Sequence, residues 1–225
     1  MKKLLLVFLL GIMASGLFAQ GSSQPFQKDI DSFVLQDSRQ TPPANPVLLI
    51  GSSSFTFWKD VQQAFPGFPI LNRGFGGSSL TDVIHFAPQV IFAYQPRQII
   101  IYCGENDLAA KPPVEPKVVL QRFRKLFRMI RSQWPEIPLV YISIKPSPSR
   151  WQLEPQFVEA NRRINAFLRN KKNATFLDVH TAMLDSRGET RPELYISDRL
   201  HMNAGGYAIW QSLLGPLLVK GEGSR

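Results

Sequence analysis

Four short segments carry the residues able to do chemistry. The first is Gly51-Ser52-Ser53-Ser54, where a glycine allows a sharp turn and hydroxyls follow it. A serine oxygen at the start of a helix feels the positive end of the backbone dipole. The same three serines would also serve as an ordinary helix cap. The second segment, Asn72-Arg73-Gly74-Phe75-Gly76-Gly77-Ser78, has three glycines in four positions. It reads either as backbone amides exposed to an anionic oxygen or as a flexible loop. The third, Gly104-Glu105-Asn106-Asp107, offers the Asn106 side-chain amide to that oxygen. The fourth, Asp198-Arg199-Leu200-His201, spaces a carboxylate and an imidazole so that one turn brings them together and fixes the tautomer. A nucleophile, oxyanion donors, a base and its orienting acid are the four functions that acyl transfer requires. Of the other histidines, His85 falls within a helical pattern, and His180 has Asp178 nearby but no acid at the Asp198–His201 spacing.

These segments must be positioned by what lies between them. Short apolar strands are expected at Val47–Ile50, Phe68–Leu71, Gln98–Cys103, Leu139–Ile144 and Thr175–Val179. Helical sequence fills 55–65, Leu80–Ile91, Glu115–Gln133 and Pro155–Arg169, and a last helix from about Asn203 carries Tyr207, Ile209, Trp210, Leu213 and Leu214. Buried strands alternating with amphipathic helices predict an α/β fold, a parallel sheet covered on both faces in three α/β/α layers. Its binding crevice lies at the carboxyl ends of the strands, where the first three segments stand. Lys145, Arg150 and Trp151 follow the fourth strand and are candidate substrate-rim residues; alternatively Pro146, Pro148 and Trp151 stiffen that loop and cover the sheet. Cys103, the single cysteine, reads as a small core residue, and it permits no internal disulfide.

Composition bounds the class. With 225 residues, 44% hydrophobic and 19% charged, the chain suits one globular domain. Lys2 and Lys3, the apolar run Leu4–Leu10 and Leu17-Phe18-Ala19 have the pattern of a secretory signal peptide over 1–19, the alternative being a retained anchor. Residues 20–46, rich in Ser, Gln and Pro, read as a leader with room for a short helix; the domain runs 47–218 and a tail 219–225. Export, to the periplasm or beyond, is therefore expected, with no stable membrane insertion once the signal is gone. The net charge is +9, and the helix around Arg122–Arg131 sets basic residues against Leu120, Phe123, Leu126, Phe127 and Ile130. A solvated helix face accounts for that pattern; affinity for anionic surfaces or polysaccharides is the alternative, and no motif points to nucleic acid.

The four segments resemble the blocks of the SGNH (GDSL-type) esterases and acylhydrolases. Gly51-Ser52-Ser53 resembles the glycine–aspartate–serine block, with Ser52 where aspartate is usual and the nucleophile on Ser53. The resemblance puts oxyanion donors on the amides of Ser53 and Gly77 and the side chain of Asn106, and the acid and base on Asp198 and His201. It covers about Leu48 to Leu214. The segments Tyr102–Ala109 and Ser143–Trp151 are most similar to bacterial relatives of the platelet-activating-factor acetylhydrolase type, which implies a flavodoxin-like five-stranded sheet ordered 2-1-3-4-5 and no metal or organic cofactor. The expected activity is hydrolysis of a small acyl ester, acetyl above all, on a carbohydrate or short-chain alcohol, free or polysaccharide-linked. Three alternatives stand beside it: a lysophospholipase or thioesterase, a non-catalytic carbohydrate-binding protein on the same fold, and a metal-dependent phosphatase. The last has too few ligands in His201 and Asp198 alone.

Overall fold

The computed structural model describes residues 25–221, so the signal-like segment and most of the tail lie outside the described residues. Five parallel strands, β1 (Val47–Gly51), β2 (Ile70–Gly74), β3 (Gln98–Tyr102), β4 (Leu139–Ile142) and β5 (Ala174–Leu177), pair in the order β2-β1-β3-β4-β5. Helices run between and around them: α1 (Gln27–Arg39), α2 (Ser53–Thr56), α3 (Val61–Ala64), α4 (Leu80–His85), α5 (Ala87–Val90), α6 (Glu105–Leu108), α7 (Pro116–Gln133), α8 (Glu154–Leu168) and α9 (Ala204–Leu214). The three-layer fold and its strand order are those expected.

The central strands are buried on both faces, and the two-residue period of a strand divides their side chains between two cores. Leu48, Ile50, Ile99, Ile101, Leu139 and Tyr141 point to one, where α7 and α8 bring Phe123, Phe127 and Phe157. Val47, Leu49, Ile100, Tyr102, Val140 and Ile142 point to the other, packed by Phe55, Trp58, Tyr207 and Trp210. Leu49 is in register with Asn72 on one side and Ile100 on the other, so β1, β2 and β3 end level with one another.

Several element boundaries differ from the sequence reading. The helix expected over 55–65 is two short ones, because Phe55 and Trp58 are both drawn into the core and the Trp58 ring stacks on Tyr207 at 5.0 Å. Leu80–Ile91 likewise breaks at Phe86, ahead of Pro88. The second strand runs to Gly74 rather than stopping at Leu71. Its polar residues are accommodated by tertiary contacts: Arg73 is buried, ion-paired with Asp37 of α1 and bonded through Nε to the Tyr94 hydroxyl at 2.6 Å. The helix in the leader is longer than expected, at 13 residues, and its Ile30 lies in the same core as β1.

Candidate active site

The end of β1 must be glycine. Gly51 has φ +139°, and a Cβ there would meet the Tyr102 carbonyl oxygen at 1.8 Å. Freed of a side chain, the chain turns between β2 and β3 and starts α2 with Ser53, half-buried at the carboxyl edge of the sheet. Ser52 occupies the cap position, yet its side chain makes no cap hydrogen bond, so simple capping does not explain the serine run. The glycine segment after β2 closes over the same spot. A Cβ on Gly76 would lie 3.9 Å from the Ser53 Cβ. Gly77 is exposed with φ +84°. Among the described residues the backbone N–H groups of Ser53 and Gly77 have no protein acceptor.

Asp198 and His201 form the unit their spacing suggested. Asp198 Oδ2 meets His201 Nδ1 at 2.6 Å, and its Oδ1 accepts from the Leu200 and His201 backbone N–H groups, each at 2.9 Å. Burial pushes the Asp198 carboxyl up, but the His201 ring and those two N–H groups outweigh it and hold the pKa at about 2. With Nδ1 engaged by Asp198, Nε2 is the other ring nitrogen. The ring stacks on Phe57, with centroids 4.1 Å apart and planes 13° from parallel. Phe57 is one turn beyond Ser53, its N–H bonded to the Ser53 carbonyl at 2.8 Å. The imidazole is therefore held against the helix that starts with Ser53. No hydrogen bond joins Ser53 Oγ to the ring in this structure, and such contacts commonly tighten only when substrate binds.

Asn106, on α6, donates through Nδ2 to the Ser78 carbonyl at 3.0 Å, and its Oδ1 accepts from Arg150 at 3.0 Å. One of its two side-chain N–H bonds is therefore occupied by protein. Asp107 beside it is fully buried, accepting from Leu80 N–H at 2.9 Å and from Arg122 at 2.7 Å, which ties α4 and α7 to this edge.

Of the three rim candidates, Lys145 is misassigned. Its side chain is 1% exposed, and Nζ lies 3.3 Å from Glu105 Oε2. It is a structural cation below the site. Two residues earlier the sheet still pairs through Ser143 N–H to Leu177, and that pairing carries the segment inward. Arg150 is only partly exposed and bridges Glu105 and Asn106. Trp151 is 37% exposed, so it does not serve to cover the sheet. It sits on a 3-10 turn, Pro148–Leu153, tied by Ser149 N–H to the Arg199 carbonyl at 3.1 Å, next to Asp198. Two hollows flank the site: one of about 530 Å³ beside Phe57, Met202 and Asn203, and one of about 460 Å³ beside Leu108, Arg150 and Gln152.

Sequence reasoning missed Glu105. It accepts from the Tyr102 hydroxyl at 2.6 Å, from Lys145 and from Arg150 at 3.0 Å. Burial alone pushes its carboxyl up, but Lys145 and Arg150 hold it below the usual carboxylate range. A signal existed: β3 and β4 are neighbours, and each is followed three positions on by a charge of opposite sign, Glu105 and Lys145. Phe57 was also missed, and so was the acid partner of His180, which is Glu154 of α8 at 2.6 Å. His85 is exposed at the end of α4. Among the described residues there is no group of three or more potential metal ligands, and no helix is long and apolar enough to cross a membrane.

The chain shares this architecture with solved structures. A protein from Streptococcus pneumonia named for platelet activating factor superposes with a TM-score of 0.74 at 20% identity, over 86% of this chain and 94% of that one. A GDSL-like lipase from Bacteroides thetaiotaomicron gives 0.71 at 16% identity, over 83% and 95%. A mutant acetyl-xylooligosaccharide esterase from Geobacillus Stearmophilus gives 0.62 at 16% identity, over 83% and 100%. At these identities the likeness concerns the fold. No curated protein matches in sequence. The sequence pattern of one family does match, over residues 50–209, from the end of β1 to within α9, a span that includes the serine turn, the segments Asn72–Ser78 and Gly104–Asp107 and the Asp198–His201 pair. The chain belongs to the GDSL-like lipase/acylhydrolase family and is a carboxylic ester hydrolase.

Proposed function

We propose that the enzyme is a serine esterase that removes small acyl groups, acetyl above all, from a carbohydrate or short-chain ester through an acyl-Ser53 intermediate. The observation that carries this reading is the Asp198–His201 pair, with Nδ1 engaged and the ring stacked on Phe57, one turn from Ser53. His201 Nε2 takes the Ser53 proton as Oγ attacks the acyl carbonyl, and Asp198 stabilises the imidazolium. The Ser53 and Gly77 amides and the remaining N–H of Asn106 donate to the oxyanion. His201 then protonates the leaving alcohol, and water repeats the sequence on the acyl-enzyme.

Three features favour a small acyl group on a sugar. The flanking hollows are open to solvent, which suits a compact acyl group. The exposed Trp151 presents a flat apolar ring of the kind that sugars stack on. The Geobacillus structure with this fold is an acetyl-xylooligosaccharide esterase. Export fits the basic, apolar and small-residue pattern of residues 1–19, and cleavage after Ala19 is the position it favours.

The test is covalent labelling by a phosphonate ester. Ser53 should be labelled, the His201→Ala protein should label poorly, and Ser53→Ala should not hydrolyse aryl acetate. Asn106→Ala should lose about 10²–10³ in turnover, roughly 3–4 kcal/mol of transition-state stabilisation. Full activity in a folded Asn106→Ala protein would sink the oxyanion assignment. No labelling of Ser53 in the folded wild type would favour a carbohydrate-binding protein instead.

A further inference from the structure

The Asn106 amide is clamped on both sides, and the clamp has a direction. Its oxygen accepts from Arg150 Nη1 at 3.0 Å, and its nitrogen donates to the Ser78 carbonyl at 3.0 Å. Turning the amide over would set the NH₂ group against the guanidinium and the oxygen against a carbonyl, donor to donor and acceptor to acceptor. Both contacts enforce the same orientation, and they leave one N–H uncommitted. Arg150 is itself held, since the same Nη1 also bonds Glu105 Oε1 at 3.0 Å. Glu105 is fixed in turn by the Tyr102 hydroxyl at 2.6 Å and by Lys145 at 3.3 Å, both buried. A chain of charge-assisted bonds therefore runs from the sheet interior to the amide.

We propose that Arg150 is a positioning residue that fixes the orientation of the Asn106 amide, and that Glu105 and Lys145 hold Arg150 for that purpose. The proposal rests on the esterase reading for its effect on rate, though not for its effect on the amide. A guanidinium on Oδ1 also draws electron density from the amide, which makes the free N–H a better donor to a developing oxyanion.

Two measurements test it. In a double-mutant cycle on aryl acetate, Arg150→Met should lower kcat about 10- to 100-fold, the range expected for a misplaced donor, with KM nearly unchanged. Arg150→Lys should recover part of the loss. In an Asn106→Ala background, Arg150→Met should slow the enzyme no further, because the group it positions is gone. Independent losses that multiply, or a rise in KM with kcat intact, would overturn the proposal and make Arg150 a direct substrate contact. The second readout does not need activity. The side-chain NH₂ signals of Asn106, identified by their loss in Asn106→Ala, should shift and exchange faster with water in Arg150→Met or Arg150→Gln. Unchanged signals in either folded variant would overturn the proposal. Shifted signals together with no labelling of Ser53 would instead remove the esterase reading and leave the clamp in place.

Discussion

At the scale of single residues, charges at this sheet edge fall into two kinds. Asp198 is partly exposed, with its side chain 42% accessible; burial pushes its carboxyl up, and His201 and two backbone N–H groups outweigh that and keep it ionised. Its carboxyl lies lower in the folded protein, at about 2, than in an unfolded chain, at about 3.9. A group depressed in this way adds stability above its unfolded pKa and loses it as pH falls through the folded one. The stability gap between wild type and Asp198→Asn, measured by urea unfolding, should therefore narrow as pH drops from about 4 to about 2. A gap that widens over that range would contradict the assignment. Glu105 and Lys145 are of the other kind, buried and dependent on each other. Glu105→Gln strands the Lys145 ammonium and should cost about 3–5 kcal/mol. Lys145→Met should cost less, because Glu105 keeps Arg150 and Tyr102, and the double variant should be more stable than Glu105→Gln alone. A double variant less stable than either single one would refute this coupling.

At the scale of elements, the site depends on how β1 ends. Gly51 accepts through its carbonyl from the Phe75 N–H at 2.9 Å and from the Ser78 hydroxyl at 3.1 Å, so the serine turn and the glycine segment share one anchor. Gly51→Ala forces a methyl into the Tyr102 carbonyl at a φ that side chains avoid, and should cost at least about 3 kcal/mol in denaturant unfolding. Gly67→Ala is the control: a Cβ there meets nothing within 4 Å, and the change should stay within about 0.5 kcal/mol. A Gly51→Ala protein as stable as that control would mean the turn can be rebuilt. Element boundaries were less legible than element types. Runs such as Ile99-Ile100-Ile101 announce a buried strand by composition. Arg73, by contrast, argues against a strand until Asp37 and Tyr94 are known to meet it, and those partners lie 36 and 21 positions away.

At the scale of the whole molecule, four crossovers and the connection after β5 carry four distant segments to one edge of a sheet whose strands end level. The cleft this makes is open on both flanks, and that geometry carries a prediction about substrate. On aryl esters, kcat/KM should be highest for acetyl and should fall as the acyl chain lengthens. A long apolar slot would do the opposite, gaining roughly 0.8 kcal/mol for each methylene it buried. A steady rise with chain length would turn the reading toward a lysophospholipase or thioesterase.

The Asp198–His201 pair and the turn glycine Gly51 were legible because local spacing expresses their geometry: an acid three positions before a histidine reaches it within one turn, and a glycine after a strand marks a bend. The parallel sheet was legible too, because burial on both faces leaves a composition that needs no partner to read. What the sequence by itself left open were the contacts between segments far apart in the chain. Only the tertiary structure put Lys145 inside rather than on the rim, gave His180 the carboxylate of Glu154, and stacked His201 on Phe57. The physical reason is the same in each case. A side chain's charge and shape are written at its own position, but whether it meets water, an ion or a ring is decided by which remote segment the fold packs against it.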